Sequence, residues 1–458
     1  MKEQIINMRE YFNSGITKDV SQRINLLVNL KKNILSHETD ILEALRQDFN
    51  KPAFETYTTE IMIILQEIDY QLKHIHQFTK PKSVSTGILS IGAKGKIYPE
   101  PYGLVLIMSP WNYPLLLALQ PLIGAIAAGN VVIVKPSNYA FHTSELIKKI
   151  ISEVFDRRHV QTVLGGREAN TELLNQRYDL IFFTGSPSVG RLVMAKAALN
   201  VTPVVLELGG KSPCIIDEHA DLELAAKRTV WGKYLNGGQT CIAPDYVLIK
   251  KAQAKAFIEA CQKYIKSFYF VDDLLSEDFC CIINDKHFQR LSSLIDHDKV
   301  VIGGKTDPAN RLIEPTVIDN VSYDDPIMQN EIFGPLLPIV YYQDLNEVIT
   351  HLQATEKPLA LYFFSKDKQN IDKILTQTSS GGSCINDVLM HISSHNLPFG
   401  GVGNSGMGQY HGKKSFTTFT HDKSVLLQTN VFDLPLRYPP YHDKLKLVKR
   451  FIIKKTND

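Results

Sequence analysis

The stretch Leu180-Ile-Phe-Phe-Thr-Gly-Ser-Pro-Ser-Val-Gly190 sets the fold. Four large apolar residues in a row leave no wet face, so 180–183 is expected as a strand buried on both sides. Thr184 to Gly190 interrupt the run, and a helix is expected from there to Asn200. The same alternation extends outward. Upstream, strands are expected at 104–108, 131–134 and 160–164, with helices at 115–128 and 142–155 between them. Gly129 suits the C-cap of the first helix. Downstream, 204–206 is a fifth apolar strand. Strands of this kind belong to a parallel sheet flanked by helices. Ligands of such sheets bind beyond the C-terminal strand ends. Lys135, the Gly185 loop and Glu207 all stand at such ends.

A second α/β set follows Gly210. Strands are expected at 212–216, 246–249, 300–302, 337–342, 359–364 and 382–385, and a helix at 221–234. Before the first sheet, residues 18 to 80 carry apolar side chains at helical spacing, among them Ile24, Leu27, Val28, Leu30 and Ile34, then Ile41, Leu42 and Leu45. Pro52 breaks this run, 61–78 resumes it, and Pro81 ends it. Residues 83–95 contain Gly and Ser and show neither periodicity. There is no internal repeat at a solenoid period and no low-complexity segment.

A chain of 458 residues supports two or three domains. A net charge of +2 gives no electrostatic case for nucleic acid. The six cysteines, Cys214, Cys241, Cys261, Cys280, Cys281 and Cys384, contain no CxxC pair. Their scatter fits a reducing cytoplasm and suggests neither a disulfide framework nor a metal site. The N-terminus has no uninterrupted apolar core, so no signal peptide is expected. No run of about eighteen apolar residues is present, so no transmembrane segment is expected. Two glycosylation sequons, at Asn200 and Asn320, have no consequence in a cytoplasmic protein.

The helix at 221–234 delivers Asn236-Gly-Gly-Gln-Thr-Cys241-Ile-Ala-Pro244. Two glycines let backbone approach a ligand closely, and Gln239 and Thr240 can hold the loop by local hydrogen bonds. A thiol displayed in this way suits a nucleophile; the alternative is a buried, inert cysteine. Glu207, at the end of an apolar strand, is either a base with a pKa raised by burial or the partner of a neighbour such as Lys211. Asn112, between Pro110 and Pro114, is either a turn-former or an amide donor to a developing oxyanion. Glu331 and Phe333 could be a surface acid and a core aromatic. Lys135 directly follows four apolar residues, an unusual place for a solvated lysine. The 185–190 loop is either a plain helix-entry turn or a helix N-terminus facing a pyrophosphate.

Taken together, these segments resemble the aldehyde dehydrogenase superfamily. Pro203-Val-Val-Leu-Glu207-Leu-Gly-Gly-Lys211 is similar to its general-base motif. Ser109-Pro-Trp-Asn112-Tyr-Pro114 is similar to its oxyanion motif, and Asn330-Glu331-Ile-Phe333-Gly-Pro335 to its nicotinamide-side motif. The likeness runs from about Arg9 to about Tyr441. Pro398-Phe-Gly-Gly-Val-Gly-Asn-Ser-Gly-Met-Gly-Gln-Tyr-His-Gly412 and Arg437-Tyr-Pro-Pro-Tyr441 point to the class 3 branch, which acts on fatty and aromatic aldehydes.

The resemblance implies an NAD(P)-dependent oxidation of an aldehyde to a carboxylic acid. Cys241 attacks the carbonyl to give a thiohemiacetal and then a thioester, Asn112 and the Cys241 N–H stabilise the oxyanion, and Glu207 activates water. The cofactor set is Lys135, Gly185, Ser186, Pro187, Ser188, Val189, Gly190, Glu331 and Phe333. In that set Lys135 binds the adenosine ribose, Glu331 the nicotinamide ribose and Phe333 the ring edge. Tyr113, Leu117, His391 and Ile392 are tunnel candidates. The likeness also implies a cofactor-binding domain (1–82 and 99–207), a catalytic domain (208–388), a small β oligomerisation arm (83–98 and 389–425), a tail (426–458) and a homodimer. Many family members have Glu where this chain has Asn138. Without that negative charge, NADP should be tolerated beside NAD.

Two other readings exist: a cofactor-free thiol hydrolase, which Lys135 and the double α/β pattern disfavour, and a non-catalytic scaffold, against which the four intact motifs speak. Two motifs fail on context. Gly401-Val-Gly-Asn-Ser-Gly406 matches GxGxxG but follows no apolar strand. Gly209-Gly-Lys-Ser212 looks like the end of a P-loop, but Val205 replaces the first glycine. The tail at 444–455 places Leu445, Leu447, Val448, Phe451 and Ile452 opposite Lys446, Lys449, Arg450 and Lys454. The expectation is that its apolar side docks on protein, with membrane contact weak and salt-sensitive at most.

Overall fold

A computed structural model of the chain describes residues 1–87 and 90–453. Its backbone separates into a large unit, 1–79 with 101–421, and a small unit, 80–100 with 422–458. The segment 389–421, expected to go with 83–98, lies in the large unit, and the small unit starts at residue 80.

The large unit holds two sheets. The first has six strands in the order Gly406–Met407, Val204–Leu208, Leu180–Gly185, Leu104–Met108, Val131–Lys135, Val160–Thr162. All neighbours are parallel except the Gly406–Met407 edge, which runs antiparallel to Val204–Leu208. The register sets Thr184 beside Glu207 and Met108 beside Lys135, so these groups share one sheet edge. The glycine-rich 401–406 stretch supplies this edge strand. That gives its glycines a backbone role in place of a phosphate loop.

The helix Pro114–Ala128 is buried along its whole length, as an all-round apolar sequence requires. Gly129, at φ 97°, closes it in the left-handed conformation. The N-terminal helices Val20–Ser36, Glu38–Phe49 and Met62–Phe78 bury their apolar stripes in the same core. Asp19 caps the first of them by accepting from the Ser21 N–H. A wide π-type turn, Tyr57–Ile61, leads into Met62–Phe78.

The second sheet has seven strands: Val300–Ile302, Thr316–Ile318, Leu336–Tyr342, Tyr246–Lys250, Pro213–Ile216, Ala360–Phe364, Gly382–Ile385. It is parallel apart from its first pair, which is antiparallel. Asp221 caps the helix Leu222–Tyr234 by accepting from the Leu224 N–H, and this helix runs directly into the cysteine loop. The small unit carries a three-stranded sheet, ordered Lys82–Val84, Lys94–Pro101, Thr420–Leu427; Lys82 pairs with Ile97 in antiparallel register. Among the described residues no helix is long and apolar enough to cross a membrane. The helix Lys444–Ile453 is present; Lys454 and Lys455 lie outside the described residues.

Candidate active site

Cys241 stands where two cavities meet. One, of about 280 Å³, is lined mainly by apolar side chains including Tyr113, Leu117, Leu235 and Ile392. The other, of about 440 Å³, is lined by Asn112, Ser186, Glu207, Glu331 and Phe333. Cys241 and Leu117 belong to both. Of the tunnel candidates, His391 is not on the wall; its Nδ1 lies 3.3 Å from Cys384 Sγ.

The loop that presents the thiol is held by its own amides. Asn236, Gly237 and Gly238 all take left-handed φ values, 56°, 60° and 74°. Gly238 needs its glycine twice over, because a Cβ there would also strike the Gly334 carbonyl. Gln239 donates to the carbonyls of Asn236 and Cys281, both at 3.1 Å, and accepts from the Ile283 N–H at 3.0 Å. Asn236 donates to the Asn112 carbonyl at 2.9 Å, and Asn112 Nδ2 donates to the Gln239 carbonyl at 3.0 Å. Tyr113 and Thr240 share a 2.6 Å hydroxyl contact, and Tyr362 donates to the Ile242 carbonyl at 2.5 Å. Below the loop, Glu55 accepts from the Asn236 N–H at 2.9 Å; burial pushes its carboxyl up to about 7.

Burial raises the Cys241 thiol, and the nearby Glu331 and Glu207 carboxylates raise it further. The backbone N–H groups of Cys241 and Ile242 act the other way. Glu207 is 2% exposed, and neither of its oxygens has a partner among the described residues. Burial alone lifts its pKa well above the ordinary carboxyl value. Lys211 does not pair with it. Lys211 Nζ donates instead to Asp245 at 2.6 Å and to the carbonyls of Asn330 and Ile327 at 3.0 and 3.2 Å. Asp245 also accepts from the Ile332 N–H at 2.9 Å, and Arg290 donates to the Ile332 carbonyl at 2.6 Å. The segment bearing Glu331 and Phe333 is therefore fixed from both sides.

Glu331 folds over Gly209, where any Cβ would collide with its carboxylate. Burial and the nearby Asp245 push its pKa up to about 8. Phe333 packs edge-on against Trp111 at 5.4 Å.

Among the expected cofactor residues, Gly185, Ser186, Glu331 and Phe333 line the larger cavity. Lys135, Pro187, Ser188, Val189 and Gly190 do not line it; they lie further along the same C-terminal sheet edge. Lys135 is buried, donates to the Pro136 carbonyl at 2.8 Å, and has its pKa lowered to about 8 by burial. Ser186 is the N-cap of Pro187–Ala198. The exposed hydroxyls of Ser186 and Ser188 lie 3.1 Å apart, beside first-turn N–H groups that have no partner within the helix. That donor set fits a pyrophosphate, and an unpartnered buried carboxylate beside the thiol fits a water-activating base. Trp111, His287, Arg290 and Asp245 were not singled out from sequence. Trp111 and Asp245 lie inside or beside the quoted motifs, whereas nothing local marks His287 or Arg290.

The sequence model of the aldehyde dehydrogenase family matches residues 2–425. The chain is 43% identical to aldehyde dehydrogenase family 3 member A2 of Rattus norvegicus, over all of this chain and 95% of that protein. It is 43% identical to the protein named "aldehyde dehydrogenase, dimeric NADP-preferring" of Canis lupus familiaris, over 96% of this chain and 98% of that one. The solved structure titled "Substrate bound state of Staphylococcus Aureus AldH" superposes with a TM-score of 0.96 at 44% identity, covering 98% of this chain and 99% of that one.

Proposed function

The chain belongs to the aldehyde dehydrogenase family, with relatives in family 3, and we propose that it carries out aldehyde oxidation at Cys241, with Glu207 as base and Asn112 as oxyanion donor. One observation carries this assignment: Cys241 is the one thiol on the wall shared by the apolar cavity and the cavity that holds Glu331, and Glu207 lies unpartnered in the latter. The apolar cavity holds the aldehyde, which we take to be a medium- or long-chain aliphatic or an aromatic one. Ser186, Ser188 and the helix N-terminus hold the pyrophosphate of NAD or NADP, Lys135 the adenosine ribose, and Glu331 with Phe333 the nicotinamide side.

The Cys241 thiolate adds to the carbonyl carbon, and the carbonyl π pair moves to oxygen, giving a thiohemiacetal. The remaining Asn112 N–H and the Cys241 N–H stabilise that oxygen, and one such donor is worth roughly 3 kcal/mol. When bound, NAD(P)+ supplies the acceptor for the hydride that leaves this carbon, which converts the adduct to a thioester. Glu207 takes a proton from water, whose oxygen attacks the acyl carbon; the Cys241 thiolate leaves and the carboxylic acid departs.

Asn138 is exposed and neutral, and we assign dual use of NAD and NADP to it. The dog relative is named NADP-preferring and dimeric, which also supports a homodimer here. We place the enzyme in the cytoplasm. Absorbance of reduced nicotinamide on mixing protein, NAD+ and an alkanal tests the reading. Turnover by wild type and none by Cys241→Ala is expected; esters hydrolysed with no nicotinamide reduced would favour a thiol hydrolase.

A further inference from the structure

The helix Pro114–Ala128 runs Pro-Leu-Leu-Leu-Ala-Leu-Gln-Pro-Leu-Ile-Gly-Ala-Ile-Ala-Ala, with every residue buried. Gln120 is its one polar side chain. Tyr113, Leu116, Leu117 and Gln120 recur at helical spacing, and all four line the apolar cavity beside Cys241. Gln120 is 2% exposed, and its Oε1 has no partner among the described residues. A buried acceptor left without a donor is destabilising, and a leucine or methionine here would avoid that cost. The next residue, Pro121, has no N–H, so the Leu117 carbonyl loses the donor an ordinary helix would give it. Gln120 Oε1 is thus an unpartnered acceptor on a helix whose other side chains are all apolar.

The rest of the cavity limits what could meet this amide. No Asp, Glu, Lys or Arg lines it among the described residues, so a charged far end of the substrate would be desolvated without a partner. His395 sits 3.6 Å from Glu67, and His411 is kept neutral by burial. A hydroxyl is uncharged and is donor and acceptor at once, so it can meet the amide in either orientation.

We propose that Gln120 is a specificity-determining residue, and that the preferred substrates are uncharged, mainly apolar aldehydes bearing a hydroxyl group placed to bond the Gln120 amide. This rests on the reading of the apolar cavity as the aldehyde site.

The test compares kcat/KM for ω-hydroxyalkanals and for alkanals of equal length, in wild type, Gln120→Met and Gln120→Leu. The ratio of the two substrates is taken on one preparation, so it does not depend on the folded fraction. In wild type the hydroxy-to-plain ratio should peak at one chain length. At that length it should fall about tenfold in both variants. Turnover of both series with the same ratio in wild type and variants would overturn the Gln120 assignment alone. Wild type that oxidises neither series would overturn the aldehyde-site reading and the proposal with it.

Discussion

Glu207 is free for chemistry because Lys211 is committed elsewhere. All three of the lysine's donors are used, by Asp245, Asn330 and Ile327. From sequence, a base and a Lys211-paired carboxylate were equally good readings, since nothing local shows that Asp245, thirty-four positions on, would capture the lysine. The Cys241 loop was more legible: its glycines take the turn and Gln239 holds it locally through the Asn236 carbonyl, whereas Thr240 bonds the distant Tyr113, and Cys281 and Ile283 join through tertiary packing alone. Asn112→Ala should lower kcat about 100- to 1,000-fold; a loss below about threefold would remove its oxyanion role. Burial raises both the Cys241 thiol and the Glu207 carboxyl, so each is shifted toward its protonated form. Each must lose its proton to act. The value of kcat/KM should therefore rise with pH, and a profile that falls as pH rises through neutrality would contradict the assignment. At Asn138, a preference for NAD over NADP beyond about a thousandfold, roughly 4 kcal/mol, would refute dual cofactor use.

At the scale of elements, the long apolar strands were visible because burial on both faces leaves no polar residue to blur them. Leu104–Met108 falls where its apolar run put it, and Val131–Lys135 differs by one residue. Thr316–Ile318 and Gly406–Met407 were not visible. Strands of three and two residues carry no period, and their neighbours in the sheet define them. Elements also fix the site. Lys211 follows the Glu207 strand, Asp245 follows the cysteine loop, and the Asn330–Phe333 segment bonds to both. Asp245→Asn keeps an acceptor for the Ile332 N–H and loses the charge opposite Lys211. It should raise the KM for NAD+ about tenfold with a smaller effect on the KM for aldehyde. Equal changes in the two constants would show that this link does not serve the cofactor side.

For the whole molecule, the parallel α/β plan followed from strand composition, whereas the division into units did not. Residues 389–421 join the large unit because they carry the edge strand beside Glu207 and the wall residues Phe399, Tyr410 and His411. Sequence alone cannot show which body a glycine-rich stretch packs into. Sedimentation should give a dimer at micromolar concentration, and a monomer there would refute the homodimer. The helix Lys444–Ile453 should give only weak, salt-sensitive binding to anionic vesicles. Salt-resistant co-sedimentation lost on truncation after Tyr441 would show instead that the helix anchors the enzyme to membranes.

The central claim is that Cys241 carries the acyl group and Glu207 releases it. Mass spectrometry of Glu207→Gln mixed with NAD+ and an alkanal tests both halves at once. The account predicts one equivalent of reduced nicotinamide and an acyl adduct on the peptide containing Cys241. Reduced nicotinamide formed while Cys241 stays a free thiol throughout would contradict it.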